Sequence, residues 1–152
     1  MARVNPASIL VLTGGEPLLR RDLPQIARYA TTKGMMVVVG TNGTLLTDEK
    51  IRELLDAGVM GVSISVDSLD HSNHDTFRRL PGALKGSLAG IEACHRNGLQ
   101  FQVHTTASSM NYDEIPSIMD FAFKAGARVY NLFFLVCTGR GEEMSDITPE
   151  QY

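Results

Sequence analysis

Five short apolar runs recur along this chain, each separated from the next by a stretch long enough for a helix. That alternation constrains the fold more than any other feature. The runs lie at 8–13, 35–39, 61–66, 101–106 and 129–136. The first is nearly continuous, the pattern of a strand buried on both faces. The third alternates, with Val62, Ile64 and Val66 on one side and Ser63, Ser65 and Asp67 on the other. Between them lie helical patterns. Asp22 precedes Leu23, Ile26, Ala27 and Ala30. Thr47 is placed to cap a helix whose first turn holds Asp48 and Glu49 and whose core residues are Ile51, Leu54 and Leu55. A long helix is predicted over Ala83–Asn97, and Asp113 is expected to cap a last one carrying Ile115, Ile118, Met119 and Ala122. Gly34, Gly58, Gly98 and Gly126 stand where these helices should stop. Strands joined through helices pair in parallel with right-handed crossovers, which leaves an open doubly wound sheet or part of a (β/α) barrel.

In either architecture ligands bind at the strands' carboxyl ends, and small polar residues collect there. They are Thr13-Gly14-Gly15-Glu16-Pro17, Thr41-Asn42-Gly43, Asp67-Ser68, Thr105-Thr106 and Thr138-Gly139-Arg140. Two adjacent glycines let a ligand approach the backbone closely, and Glu16 adds an acceptor suited to an ammonium group. The loop is a poor phosphate cradle, because neither Gly-x-Gly-x-x-Gly nor Gly-Lys-Ser/Thr follows. Composition excludes other classes. With 14 basic against 17 acidic residues the net charge is −3, which speaks against nucleic acid as a partner. No apolar run approaches the roughly 20 residues of a membrane span. Cys94 and Cys137 are too few for a disulfide framework, so a cytoplasmic location is expected. His71, His74 and His95 lack metal-ligand spacing, and His104 reads as an interior hydrogen-bonded histidine.

Leu12-Thr13-Gly14-Gly15-Glu16-Pro17-Leu18 resembles the Gly-Gly-Glu-Pro motif of radical S-adenosylmethionine (SAM) enzymes. The match continues in order through Thr41-Asn42-Gly43, the run from Ser63 to Ser68, and Leu135-Val136-Cys137-Thr138-Gly139-Arg140-Gly141. The resemblance implies a partial (β/α)6 TIM-like barrel. Residues 1–137 would be its second to sixth βα units without the first, and 138–152 a loop or tail leading to an absent C-terminal region. It further implies that Gly14, Gly15, Glu16 and Pro17 receive the amino group of SAM, with Thr41 and Asn42 as a further contact pair. Ser65 and Asp67 would serve ribose and carboxylate, and Val136 and Thr138 would lie against adenine. Arg78 matches a recurrent arginine of the family without a role implied by position.

Such enzymes also hold a 4Fe-4S cluster on Cys-x-x-x-Cys-x-x-Cys, which this chain lacks. The expectation is therefore a core fragment, inactive alone, whose parent cleaves SAM to a 5′-deoxyadenosyl radical and draws electrons from a separate reductant; the alternative is a cluster-free relative that has lost this chemistry. The segment His74 to Ala83 resembles the linker between the family's fourth strand and its helix in subfamilies with a C-terminal auxiliary-cluster extension, and Phe133 to Gly141 followed by Asp146 to Tyr152 is similar to enzymes that modify tetrapyrrole side chains in haem biosynthesis. Peptide maturases and the pyrroloquinoline-quinone synthesis enzyme share much of the pattern. A non-catalytic, receiver-like binding domain would want an acidic cluster after the first strand, where Glu16 stands alone. An uncovered edge at the first strand invites self-association.

Overall fold

The computed structural model describes residues 8–134 and 147–148. Five strands form one sheet in the order β1 (Ile9–Leu12), β2 (Met36–Thr41), β3 (Val59–Ser65), β4 (Gln100–Ala107) and β5 (Tyr130–Phe134). Every neighbouring pair is parallel. Helices α1 (Leu23–Thr32), α2 (Asp48–Asp56), α3 (His71–Arg78), α4 (Ala83–Asn97) and α5 (Ile115–Lys124) connect them. Sequential order without a reversal is half a barrel rather than a doubly wound sheet, which resolves the alternative left open by periodicity.

The core lies between the sheet and its helices. Val37, Val39, Val62, Ile64 and Val103 meet Leu23, Ala27, Ile51, Leu54, Leu84, Ile91, Cys94 and Ile118, all buried. The stop signals hold: Gly34, Gly58, Gly98 and Gly126 all take positive φ at or just beyond helix ends. Thr47 caps α2 by accepting from the Lys50 amide at 3.1 Å.

Three expectations are corrected. The first strand is not buried on both faces: Ile9 is 61% and Val11 53% exposed, because the helices cover one side of the sheet only. Asp113 does not cap α5; it lies inside a 3₁₀ turn over Tyr112–Glu114 that leads directly into the helix. The segment His74 to Ala83, likened to a linker, begins inside a helix of its own, α3. Asp70 caps it by accepting from the Asn73 amide at 2.9 Å, and Arg79 ends it in the left-handed region at φ 51°.

Candidate functional site

All five strands open toward one edge, so the loops after them converge. A cavity of about 250 Å³ there is lined by the glycine pair Gly14 and Gly15, by Thr41 and Asn42, and by Ser63, Ser65, Arg78 and His104 from the sheet and α3. Val136 and Thr138 lie outside the described residues, as does Cys137. Pro17 is buried in the 3₁₀ turn Pro17–Leu19 and is not among the lining residues.

Glu16 already makes hydrogen bonds within the protein. Its Oε1 accepts from the Leu18 amide at 3.0 Å and from the Thr41 hydroxyl at 2.7 Å, while Oε2 accepts from the Asn42 amide at 2.9 Å. The carboxylate is thus occupied in tying the loop after β1 to the loop after β2. The second loop is also held from its other side. Ser87 of α4 donates to the Asn42 carbonyl at 2.6 Å, and Gly90 lies so near that a Cβ there would come within 2.4 Å of the Gly43 carbonyl oxygen. The glycine pair, by contrast, has open space: a Cβ on Gly14 or Gly15 would meet nothing within 4 Å. The backbone there borders the cavity with no side chain of its own, and an added methyl group would project into open space.

Asp67 is likewise engaged. It is 1% exposed, Oδ2 accepts from Arg78 Nε at 2.5 Å and Oδ1 accepts from the Thr106 amide at 2.9 Å. Asn111 closes the other side, donating from Nδ2 to the Asp67 and Thr106 carbonyls at 2.7 and 2.9 Å. The free acceptor expected at Asp67 is therefore corrected to a buried counter-ion. The lining group is its partner Arg78, 28% exposed. Ser63 and Ser65 lie on the same face, and their hydroxyls bond to no described residue. Sequence reading missed Asn111 and Ser87, whose partners lie 44 and 45 residues away.

Two histidines border this region. His74 is buried with neither ring nitrogen hydrogen-bonded, and burial pushes its pKa down against the pull of Asp67. His104 faces the cavity rather than the core, its ring 5.1 Å from that of Phe133, and burial lowers its pKa as well. Cys94 is a fully buried thiol pushed up to about 12. It is no thiolate ligand at neutral pH. Among the described residues no three His, Cys, Asp or Glu side chains converge on a metal position, so they do not fit a 4Fe-4S cluster.

A parallel half-barrel with a polar, glycine-rich cavity at its carboxyl edge defines a small-molecule-binding domain of the α/β-barrel kind. The chain belongs to the Radical SAM superfamily, whose sequence model matches residues 1–122. It is 47% identical over 144 residues to an AdoMet-dependent heme synthase of Methanosarcina barkeri, covering 95% of this chain and 41% of that protein. It is 35% identical over 136 residues to an Fe-coproporphyrin III synthase of the same organism, covering 90% and 34%. Among solved structures, Streptococcus suis SuiB superposes with a TM-score of 0.77 at 13% identity, covering 92% of this chain and 32% of SuiB. That likeness shows the fold. The chain spans about two fifths of the length of the first relative. The receiver-like alternative gives way to this family membership.

Proposed function

We propose that this chain is the SAM-binding part of a radical SAM enzyme that modifies tetrapyrroles on the way to haem. The observation that carries the reading is the juxtaposition of the open Gly14-Gly15 cradle with Arg78 in one cavity. The exposed backbone there offers carbonyl acceptors to an amino group. Arg78, aimed by Asp67, offers a cation to a carboxylate, and Ser63 and Ser65 supply uncommitted hydroxyls to a ribose. Glu16 and Thr41 act on the ligand indirectly, by fixing the two loops, and Asn42 lines the wall between them. When bound with a reduced 4Fe-4S cluster, SAM supplies hydrogen-atom abstraction through its 5′-deoxyadenosyl group. The cluster's ligands would come from polypeptide beyond the residues seen here. The heme-synthase relatives support a tetrapyrrole over a peptide substrate.

Two further readings travel with this one. A reducing cytoplasm suits the buried, unpaired Cys94 thiol. Among the described residues no strand pairs with the outer edge of β1, which can add a strand from a second copy, as a concentration-dependent elution volume would reveal.

Calorimetric titration tests the central claim. The protein should bind SAM saturably, and Arg78→Ala should weaken binding by about ten- to a hundredfold, the loss of a charged hydrogen bond. Equal affinities for the two proteins would overturn the cavity assignment.

A further inference from the structure

Helix α3 carries a buried group that the binding site leaves unused. His74 is 1% exposed, and neither of its ring nitrogens bonds to a described residue. Buried polar atoms are nearly always paired, so an imidazole with its hydrogen-bonding capacity unspent calls for a reason. Its place in the helix supplies one. His74 and Arg78 stand one turn apart on α3, the spacing that puts two side chains on one face. Arg78 in turn holds Asp67, whose side chain is fully buried.

Few charges act on the ring. Burial disfavours its protonated form most strongly; Asp67 and Asp75 favour that form, and Arg78 opposes it. Asp75 Oδ1 lies 4.0 Å from His74 Nδ1, but this carboxylate already accepts from the Gly82 and Leu84 amides at 2.5 and 3.0 Å. Helix α4, packed against α3, keeps Lys85, Glu92, His95 and Arg96 exposed and so brings no buried charge. Strand β3 carries no titratable side chain. On β5, the Tyr130 hydroxyl is buried near Asp67, and burial pushes its phenol up, which keeps it neutral. Asp67 is therefore the acceptor open to a protonated His74. An imidazolium there sets two cations beside one carboxylate, and like charges at this helical spacing repel. His74 is enclosed while the Arg78 side chain is 28% exposed, so Arg78 is the partner with room to leave.

Resting on the SAM reading above, we infer that His74 is a positioning residue for the SAM carboxylate: uncharged, it leaves Asp67 to aim Arg78 into the cavity, and protonated, it draws Asp67 to itself and releases Arg78. Charged hydrogen bonds are the stronger ones, so the new cation competes for Asp67 on favourable terms. A guanidinium held in place before the ligand arrives binds it more tightly than one that must first be ordered. Mild acid thus weakens the grip on the ligand without touching any atom that contacts it.

The test follows two NMR signals from about pH 7 to pH 5, with circular dichroism to confirm folding. One is the Arg78 Nε–H, identified by its loss in Arg78→Lys; the other is the His74 ring. In wild type both should move in one shared transition, and the Arg78 signal should stay in place in His74→Gln. The wild-type titration decides this arm by itself and needs no ligand. Calorimetry should then show wild type binding SAM about tenfold more weakly at the acid end, the lower bound for losing Arg78, and His74→Gln changing by about twofold or less. Ionisation of SAM acts on both proteins alike, so only their difference counts. A His74 ring that titrates without moving Arg78, a ring that stays neutral throughout, or equal acid losses in the two proteins would overturn the role of His74 and leave the SAM reading standing. Failure of wild type to bind SAM at neutral pH would overturn that reading, and the positioning role with it.

Discussion

Arg78 Nε donates to Asp67 Oδ2 at 2.5 Å across eleven residues, joining the last turn of α3 to the loop just after β3. The acid is buried and the base partly exposed, so the pair displays its positive end to the cavity. Substituting Asp67 therefore acts on a ligand through Arg78. Asp67→Ala should lower stability by about 2–3 kcal/mol, below the cost of breaking a wholly buried pair because Arg78 keeps some solvent. SAM affinity should fall no further in the Asp67→Ala/Arg78→Ala double variant than in Arg78→Ala. Urea denaturation and a double-mutant cycle by calorimetry check both parts, and additive binding losses would contradict the shared route.

Glu16 makes the companion prediction. Removing its carboxylate deprives Leu18, Thr41 and Asn42 of their acceptor. Glu16→Ala should cost roughly 2 kcal/mol, and Glu16→Gln, which retains one oxygen, clearly less. Hydrogen exchange should quicken at the Asn42 amide in Glu16→Ala, because its acceptor is gone. Unchanged exchange there would show that the loops do not depend on this tie.

Two glycines should respond in opposite ways. Gly15→Ala adds a methyl to open space, so the melting temperature should stay within a degree or two while SAM affinity drops. Gly90→Ala drives a methyl toward the Gly43 carbonyl and should destabilise by about 1–3 kcal/mol. Thermal melts with and without SAM separate the two cases.

The pH dependence follows from His74 and His104, both held with lowered pKa by burial. In the unfolded chain each titrates near its ordinary value of 6.5. Below that pH the unfolded state binds more protons than the folded one, so stability falls as pH drops and is fully kept above it. Urea midpoints should decline between pH 7 and 5, and His74→Gln should flatten part of that decline. The lowered carboxyls of Asp48, Asp75 and Glu114 give a loss of the same sign only at lower pH, near the ordinary carboxyl range.

Strand alternation, terminal glycines and most of each helix stripe are local properties readable in the residues themselves, although Leu55 and Met119, expected on apolar stripes, are 37% and 40% exposed. The period-2 pattern of Val62, Ile64 and Val66 and the stops at Gly34, Gly58, Gly98 and Gly126 agree with the observed sheet and helices. So does the convergence of the Gly14-Gly15, Thr41-Asn42 and Ser65 segments, because parallel strands must open on one side. What the polar side chains do there was decided by the tertiary fold. Glu16 and Asp67 are acidic residues at strand ends in the sequence. In the structure they accept hydrogen bonds from Thr41, Asn42, Arg78 and Thr106, up to 39 residues away. A hydrogen bond depends on distance and angle between groups that chain folding brings together, and spacing along a strand carries neither. The exposure of Ile9 and Val11 has the same origin. An apolar run records that a strand prefers burial, while which of its faces is covered depends on elements elsewhere in the molecule.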